Sequence, residues 1–326
     1  MKIYRALTLT LTTLAATVLS ACGGPEEHEL LTYGMGTSVI IKVYADDFPA
    51  ADKDALIKEL RYQEAVFKKN DPADSTINYL LRDALRYQKA TKGAFSPYLG
   101  ALIDLWGFDS EDAAVSRKPP SDDQIRQALT QQKLNLYALA KGYTVDTLAR
   151  KLERMGYKNY IVNAGGDLIA KGKKGNQPWR VDVRHPRFVH RTVGQLKVDG
   201  KLAVATSGDY QNYFVYENEW YHHLLDGRTG KPARKYQAVT VIADSVMEAD
   251  AMATAIFVSN GVIDLTDKRD PAFMVTTQDY HQTMTPAFQK RFISNCPPND
   301  PCVSRDDYAK YAEERDAKMN GTNDKK

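Results

Sequence analysis

The strongest constraint on the fold is a change of rhythm near residue 160. Before it, apolar residues recur at helical spacing. Leu56, Leu60 and Phe67 do so within 52–67, and Ser75 caps a second helix with Ile77, Leu80, Leu81, Ala84 and Leu85 on one face. Lys92-Gly93 stops that helix, and Gln124–Leu129 reads as a short one. Val145, Leu148, Leu152 and Met155 mark another over Tyr143–Met155, ended by Gly156. Beyond 160 the pattern is mostly strand, over Tyr160–Val162, Trp179–Val183, Leu202–Ala205, His222–Leu225, Ala238–Ala243 and Phe273–Thr276. One helix interrupts it, from Asp250 to Val258. Ser38–Tyr44 is an early strand, and residues 109–122, charged and holding Pro119-Pro120, read as an exposed loop. Helices and strands mixed without βαβ alternation predict an α+β fold with largely antiparallel sheets and packed helices. No GxGxxG follows a strand and no GxxxxGK[ST] occurs, so neither a Rossmann site nor a P-loop is supported.

Length and charge narrow the classes further. The 326 residues suit about two domains or one large one. A 43% hydrophobic and 26% charged composition is that of a folded globular chain. Mean hydropathy is −0.47 and no run of about 20 apolar residues occurs, which excludes a polytopic membrane protein. With 44 basic and 41 acidic residues, bulk electrostatics gives no reason to expect a nucleic-acid partner.

The first residues read as a processing signal, with Lys2 and Arg5 ahead of a Thr-diluted apolar stretch from Ala6 to Val18. Leu19-Ser20-Ala21-Cys22 resembles the bacterial lipobox, so Cys22 is expected to be lipidated and to begin the mature chain. The expected organisation is a signal peptide at 1–21, a tether over 22–31, one domain over 32–298 and a polar tail over 299–326. The location is then exported, membrane-anchored and periplasm-facing, where Cys296 and Cys302 can close a small disulfide loop.

Several segments carry polar chemistry. Asp250 and Thr254 are i and i+4, on one helical face, and a carboxylate with a hydroxyl is hard oxygen ligation suited to Mg²⁺. The same pair also suits a helix start and a hydroxyl bonded back to a carbonyl one turn earlier. Gly165-Gly166 permits close backbone approach to a ligand or a tight turn. Lys141, in a Lys-Gly step before a helix, can meet a phosphate or stay solvated. His223 alternates with Leu224, so one of them faces a core. Ser207, His223 and Asp226 lack the GxSxG elbow of a serine hydrolase. Trp106 and Phe108 read as core.

In order along the chain stand Met35-Gly36-Thr37, Gly93-Ala-Phe-Ser-Pro97 leading to Leu105-Trp-Gly-Phe108, and Ala140-Lys-Gly-Tyr-Thr-Val-Asp146. Then come Gly165-Gly-Asp167, Thr206-Ser-Gly-Asp-Tyr210, His222-His-Leu-Leu-Asp226 with Thr229-Gly-Lys-Pro232, and Ala249-Asp-Ala-Met-Ala-Thr254. Together these resemble the ApbE family, the FAD:protein FMN transferases, over about residues 34–258. The resemblance implies a T-fold-related architecture and FAD as substrate. It also implies Mg²⁺-dependent transfer of FMN to a Thr hydroxyl of an acceptor flavoprotein subunit, of the redox-pump or extracytoplasmic electron-transfer type, with release of AMP. The implied metal ligands are the side chains of Asp250 and Thr254 and the backbone oxygen of Ala138. The implied FAD contacts are Met35, Ala94, Phe95, Ser96, Asn135, Lys141 and Leu225. His223 is the expected base for the Thr proton, because imidazole suits proton transfer near neutrality, with Asp226 as a second base or as the group orienting it. Water in place of the Thr gives an FAD pyrophosphatase, and a chain without turnover gives an FAD-binding lipoprotein. Three positions depart from the family pattern: Asn70 where a Tyr packs on the nucleotide, Asn135 where an Asp is usual, and Gly227 for Pro.

Overall fold

A computed structural model describes residues 24–108, 118–188, 190–264 and 271–295. Cys22, Cys296, Cys302, most of the 109–122 loop and the 299–326 tail lie outside the described residues.

In chain order come β1 (Glu26–Gly34), β2 (Thr37–Ala45), α1 (Ala50–Lys69), α2 (Ser75–Ala90), α3 (Gly100–Trp106), α4 (Asp122–Leu129) and α5 (Tyr137–Arg154). Then follow β3 (Tyr160–Ala164), β4 (Asp167–Lys171), the short β5 (Lys173–Lys174) and β6 (Gln177–Pro178), β7 (Arg180–Arg184), β8 (Thr192–Lys197) and β9 (Lys201–Gly208). The chain continues through β10 (Tyr213–Tyr216), β11 (Glu219–His222), β12 (Leu225–Asp226), β13 (Lys231–Pro232), β14 (Tyr236–Ala243) and α6 (Val246–Val258). It closes with β15 (Ala272–Thr277), β16 (Gln282–Met284), α7 (Pro286–Gln289) and β17 (Phe292–Ser294). Among the described residues the main sheet has eight strands in the order β1-β2-β3-β4-β9-β14-β15-β16. Every recorded strand pairing is antiparallel.

Side-chain alternation along β9 sorts the molecule into layers. Ala203 and Ala205 face the helices, joining cores built from α1, α2, α5 and α6. Leu202 and Val204 face the opposite way, onto a small sheet of order β17-β8-β7. The α+β, antiparallel reading therefore holds, but several elements differ from it.

The expected tether is overturned, since Glu26–Gly34 pairs with β2 along its whole length. It hides from periodicity because it is an edge strand. Of its nine residues only Leu30 and Gly34 are buried, and Glu27 and Glu29 pair with Lys42 instead of a core. The cap of α2 is Asp74, not Ser75, accepting from Thr76 and Ile77 N–H. Leu85 is exposed and Tyr87 takes the buried position. Helix α5 begins six residues earlier than expected, so Ala138 and Lys141 lie within it. The single strand expected over His222–Leu225 is two, broken at His223-Leu224.

Candidate active site

The site forms where α5 crosses α6. Residue 142 must be glycine for that crossing, since a Cβ there would stand 2.5 Å from the Val246 carbonyl oxygen and 2.7 Å from Met247 Cα. On α6, Ala249, Ala251, Ala253 and Ala255 are buried and small, which lets the helix seat closely. The two helices hold each other reciprocally. Asp146 of α5 accepts from the Val246 and Met247 N–H groups at 3.0 Å each, satisfying donors at the start of α6. Asp250 of α6 accepts from Gly142 N–H of α5 through Oδ2 at 3.2 Å.

Asp250 has one oxygen left over, because among the described residues no hydrogen bond is recorded to Oδ1. Burial pushes its carboxyl well above the usual range, the nearby Asp167 carboxylate adds to that, and Lys141 with the Gly142 N–H opposes it. One turn on, Thr254 is half-buried and its Oγ lies 3.0 Å from Ser207 Oγ on β9. Ala138 lies in the first turn of α5, four residues before the Gly142 that touches Asp250. This donor set is all hard oxygen around a buried carboxyl with one oxygen unengaged, and it fits a divalent cation.

Lys141 Nζ lies 2.9 Å from Oδ2 of Asp167, an ion pair outside hydrogen-bond alignment. Burial pulls the lysine pKa down, but Asp167 and Asp250 more than offset it, so Lys141 stays charged. Asp167 follows the Gly165-Gly166 turn, whose φ values of 63° and 107° favour glycine. Its role as the lysine's partner was not legible in the sequence.

His223 follows the β10–β11 hairpin. Its Nδ1 sits 3.2 Å from the Asn212 carbonyl, which also accepts the His223 backbone N–H at 3.0 Å. Donation from Nδ1 leaves Nε2 with its lone pair. Burial, then His222 and Lys141, pushes the imidazole pKa down to about 3, so the ring is neutral near pH 7 but its lone pair is less basic than the near-neutral imidazole expected from the sequence. Asp226 does not orient this ring. Its carboxylate is engaged by Arg228, whose Nε and second guanidinium nitrogen lie at 2.9 and 2.6 Å. The structure thus replaces Asp226 by Asn212 as the orienting group, and assigns Asp226 to the β12–β13 turn. Ser207 belongs to Thr254, not to a Ser/His/Asp arrangement.

The other expected contacts build a wall. Ala94, Phe95 and Leu225 are buried, so they offer a ligand backbone rather than side chain. Ser96 is half-buried and its hydroxyl accepts from Tyr98 N–H. Gly227 N–H donates to the Ala94 carbonyl at 2.7 Å, and Asn135 N–H to the Pro97 carbonyl at 2.7 Å. Asn70 caps α1 in the left-handed region and its amide holds the Leu134 carbonyl at 2.9 Å. Asn135 Oδ1 accepts from Tyr137 N–H. Met35, at φ 54°, sits in the β1–β2 turn with its N–H on Glu64 and its side chain against both helix-side cores. A separate cleft of about 450 Å³ opens on the far face of the sheet, lined by Thr206, Tyr210 and Gly166 among others, and contains neither Asp250 nor Thr254.

Known proteins resemble this chain in sequence and fold. The ApbE family model matches residues 35–274. An FAD:protein FMN transferase of Vibrio cholerae is 31% identical over 283 residues, covering 74% of this chain and 84% of the relative. Another, from Escherichia coli, is 30% identical over 237 residues, covering 63% and 67%. The crystal structure of an ApbE protein from Thermotoga maritima superposes with a TM-score of 0.73 at 28% identity, over 82% of this chain and 100% of that one. The flavin transferase ApbE of Vibrio cholerae shares the fold, with a TM-score of 0.68 at 23% identity over 82% and 99%. With the family model spanning well over half of its length, the chain belongs to the ApbE family.

Proposed function

We propose that this chain is a Mg²⁺-dependent FAD:protein FMN transferase. The observation that carries the reading is the Asp250 carboxylate, buried with Oδ1 unengaged, one turn from Thr254 and tied through Gly142 to the helix that bears Ala138. In the reaction an acceptor Thr oxygen bonds to the FMN phosphorus of FAD. The bond from that phosphorus to the bridging oxygen breaks, and AMP leaves with the oxygen. Mg²⁺ held by Asp250, Thr254 and the Ala138 carbonyl would supply neutralisation of the diphosphate and of the departing AMP.

The remaining work falls to the chain's own groups. His223 Nε2 takes the Thr proton, with Asn212 fixing the tautomer. Lys141 meets a diphosphate oxygen as a point charge. The wall joining Ala94–Pro97, Leu134–Asn135 and Leu225–Gly227 holds the nucleotide through backbone groups, aligning phosphorus and hydroxyl. The Leu19–Cys22 segment supports an exported, lipid-anchored form, so Cys22→Ser should release the protein from the membrane fraction.

Incubation with FAD, Mg²⁺ and an acceptor protein of a related transferase tests the activity. The expected result is FMN joined to an acceptor Thr with one AMP per adduct. AMP and free FMN with an unmodified acceptor would make the chain a pyrophosphatase. Tight FAD without AMP would make it a binding protein. Either outcome sinks the proposal.

A further inference from the structure

Asp167 is 1% exposed and stands in the same buried corner as Lys141 and Asp250. It is anchored from two sides. Its Oδ1 accepts from Thr206 N–H on β9 at 3.3 Å, and its backbone position is set by pairing with Ala164 across the Gly165-Gly166 turn. Its Oδ2 faces the Lys141 ammonium at 2.9 Å. Lys141 directly precedes Gly142, whose N–H already touches Asp250. The lysine therefore has two buried carboxylates within its surroundings, and the structure places its ammonium on Asp167.

That choice matters for Asp250. An ammonium paired with Asp250 would occupy the oxygen that a cation needs and would cancel its charge. We propose that Asp167 is a positioning residue that holds the Lys141 ammonium away from Asp250, keeping Asp250 open to a divalent cation and Lys141 turned to the diphosphate. This rests on the cation reading of Asp250 and Thr254 given above. With both carboxylates ionised, as cation binding requires, the three side chains together carry one net negative charge. Removing Asp167 leaves a neutral Lys141–Asp250 pair that competes with the cation, and removing Lys141 as well restores the single negative charge.

Calorimetric titration of the whole FAD-free protein with Mn²⁺, and separately with Mg²⁺, reads this without turnover. Asp167→Asn should weaken cation binding by about tenfold or more. Asp167→Asn with Lys141→Gln should recover to within about threefold of the parent. Lys141→Gln alone should bind at least as tightly as the parent, and Asp167→Glu should stay close to it. Unchanged affinity in folded Asp167→Asn, no recovery in the double variant, or weaker binding in Lys141→Gln would each overturn the proposal. Lys141→Gln keeps the test decisive if Asp167→Asn does not fold. Asp250→Asn reports on the underlying reading: an unchanged affinity there removes the cation seat and this proposal with it, whereas lost affinity there beside an unchanged Asp167→Asn overturns the proposal alone.

Discussion

Asp146 and Asp250 sit on facing helices, are 6% and 7% exposed, and both have carboxyls raised by burial. Yet their surroundings differ. Asp146 gives each oxygen a backbone N–H of α6 and so completes a helix start. Asp250 receives one N–H, from Gly142, and faces a second carboxylate and an ammonium. Burial and pKa shift alone do not tell a structural acid from a functional one. What separates this pair is an unengaged oxygen set beside a second carboxylate, an ammonium and the Thr254 hydroxyl, a polar setting that a ligand can complete.

Four experiments test that contrast. Asp250→Asn should lower FMN transfer by about 10²–10³-fold with the fold retained, checked by AMP release and circular dichroism. Near-normal transfer would erase the distinction. Gly142→Ala should destabilise by about 1–3 kcal/mol, because the added carbon meets backbone atoms of Val246 and Met247 that cannot rotate away. It should also weaken cation binding, and denaturant unfolding with calorimetry reads both. Asp146→Asn should cost about 2 kcal/mol by setting an amide against one N–H, while transfer per folded molecule stays within about twofold. A loss of rate matching that of Asp250→Asn would break the comparison.

The smallest effect concerns pH. Asp250 has a folded pKa above its unfolded value, so its stabilising contribution is complete below the ordinary carboxylate pKa and is lost as pH rises through the raised folded value. A bound cation favours the ionised form and cancels that loss. The cation-induced rise in melting temperature should therefore grow from about pH 4 to about pH 8, and Asp250→Asn should remove the growth. Asp146 is raised too, but with no cation to relieve it, so its substitution should leave the growth in place. A cation shift independent of pH in the parent protein would count against Asp250 as the seat.

Much of the fold was readable wherever one face met a core. Leu56, Leu60, Ile77, Leu80, Leu148 and Leu152 are all buried as their spacing predicts. What escaped was structure fixed by pairing or capping. The edge strand β1 reads as a polar tether because most of its side chains stay exposed or half-buried, and the early start of α5 is hidden because Leu136 makes no side-chain cap bond. In the site, residue types left Asp250, Thr254 and His223 open between structural and chemical readings, and the motif resemblance is what singled them out. Asp167 and Asn212 escaped because their roles are contacts across many residues, one to Lys141 and the other through a main-chain carbonyl. Asp226 misled for the same reason, being near His223 in sequence yet turned to Arg228 in space.

The short bond from Gly227 to Ala94 has an evolutionary corollary. A side chain at 227 would press within 2.6 Å of the Gly93 carbonyl and 3.0 Å of Ser96 Cβ, and a proline would also delete the N–H that makes the bond. Position 227 and the segment 93–96 are therefore matched halves that must be inherited, or grafted into a chimera, together.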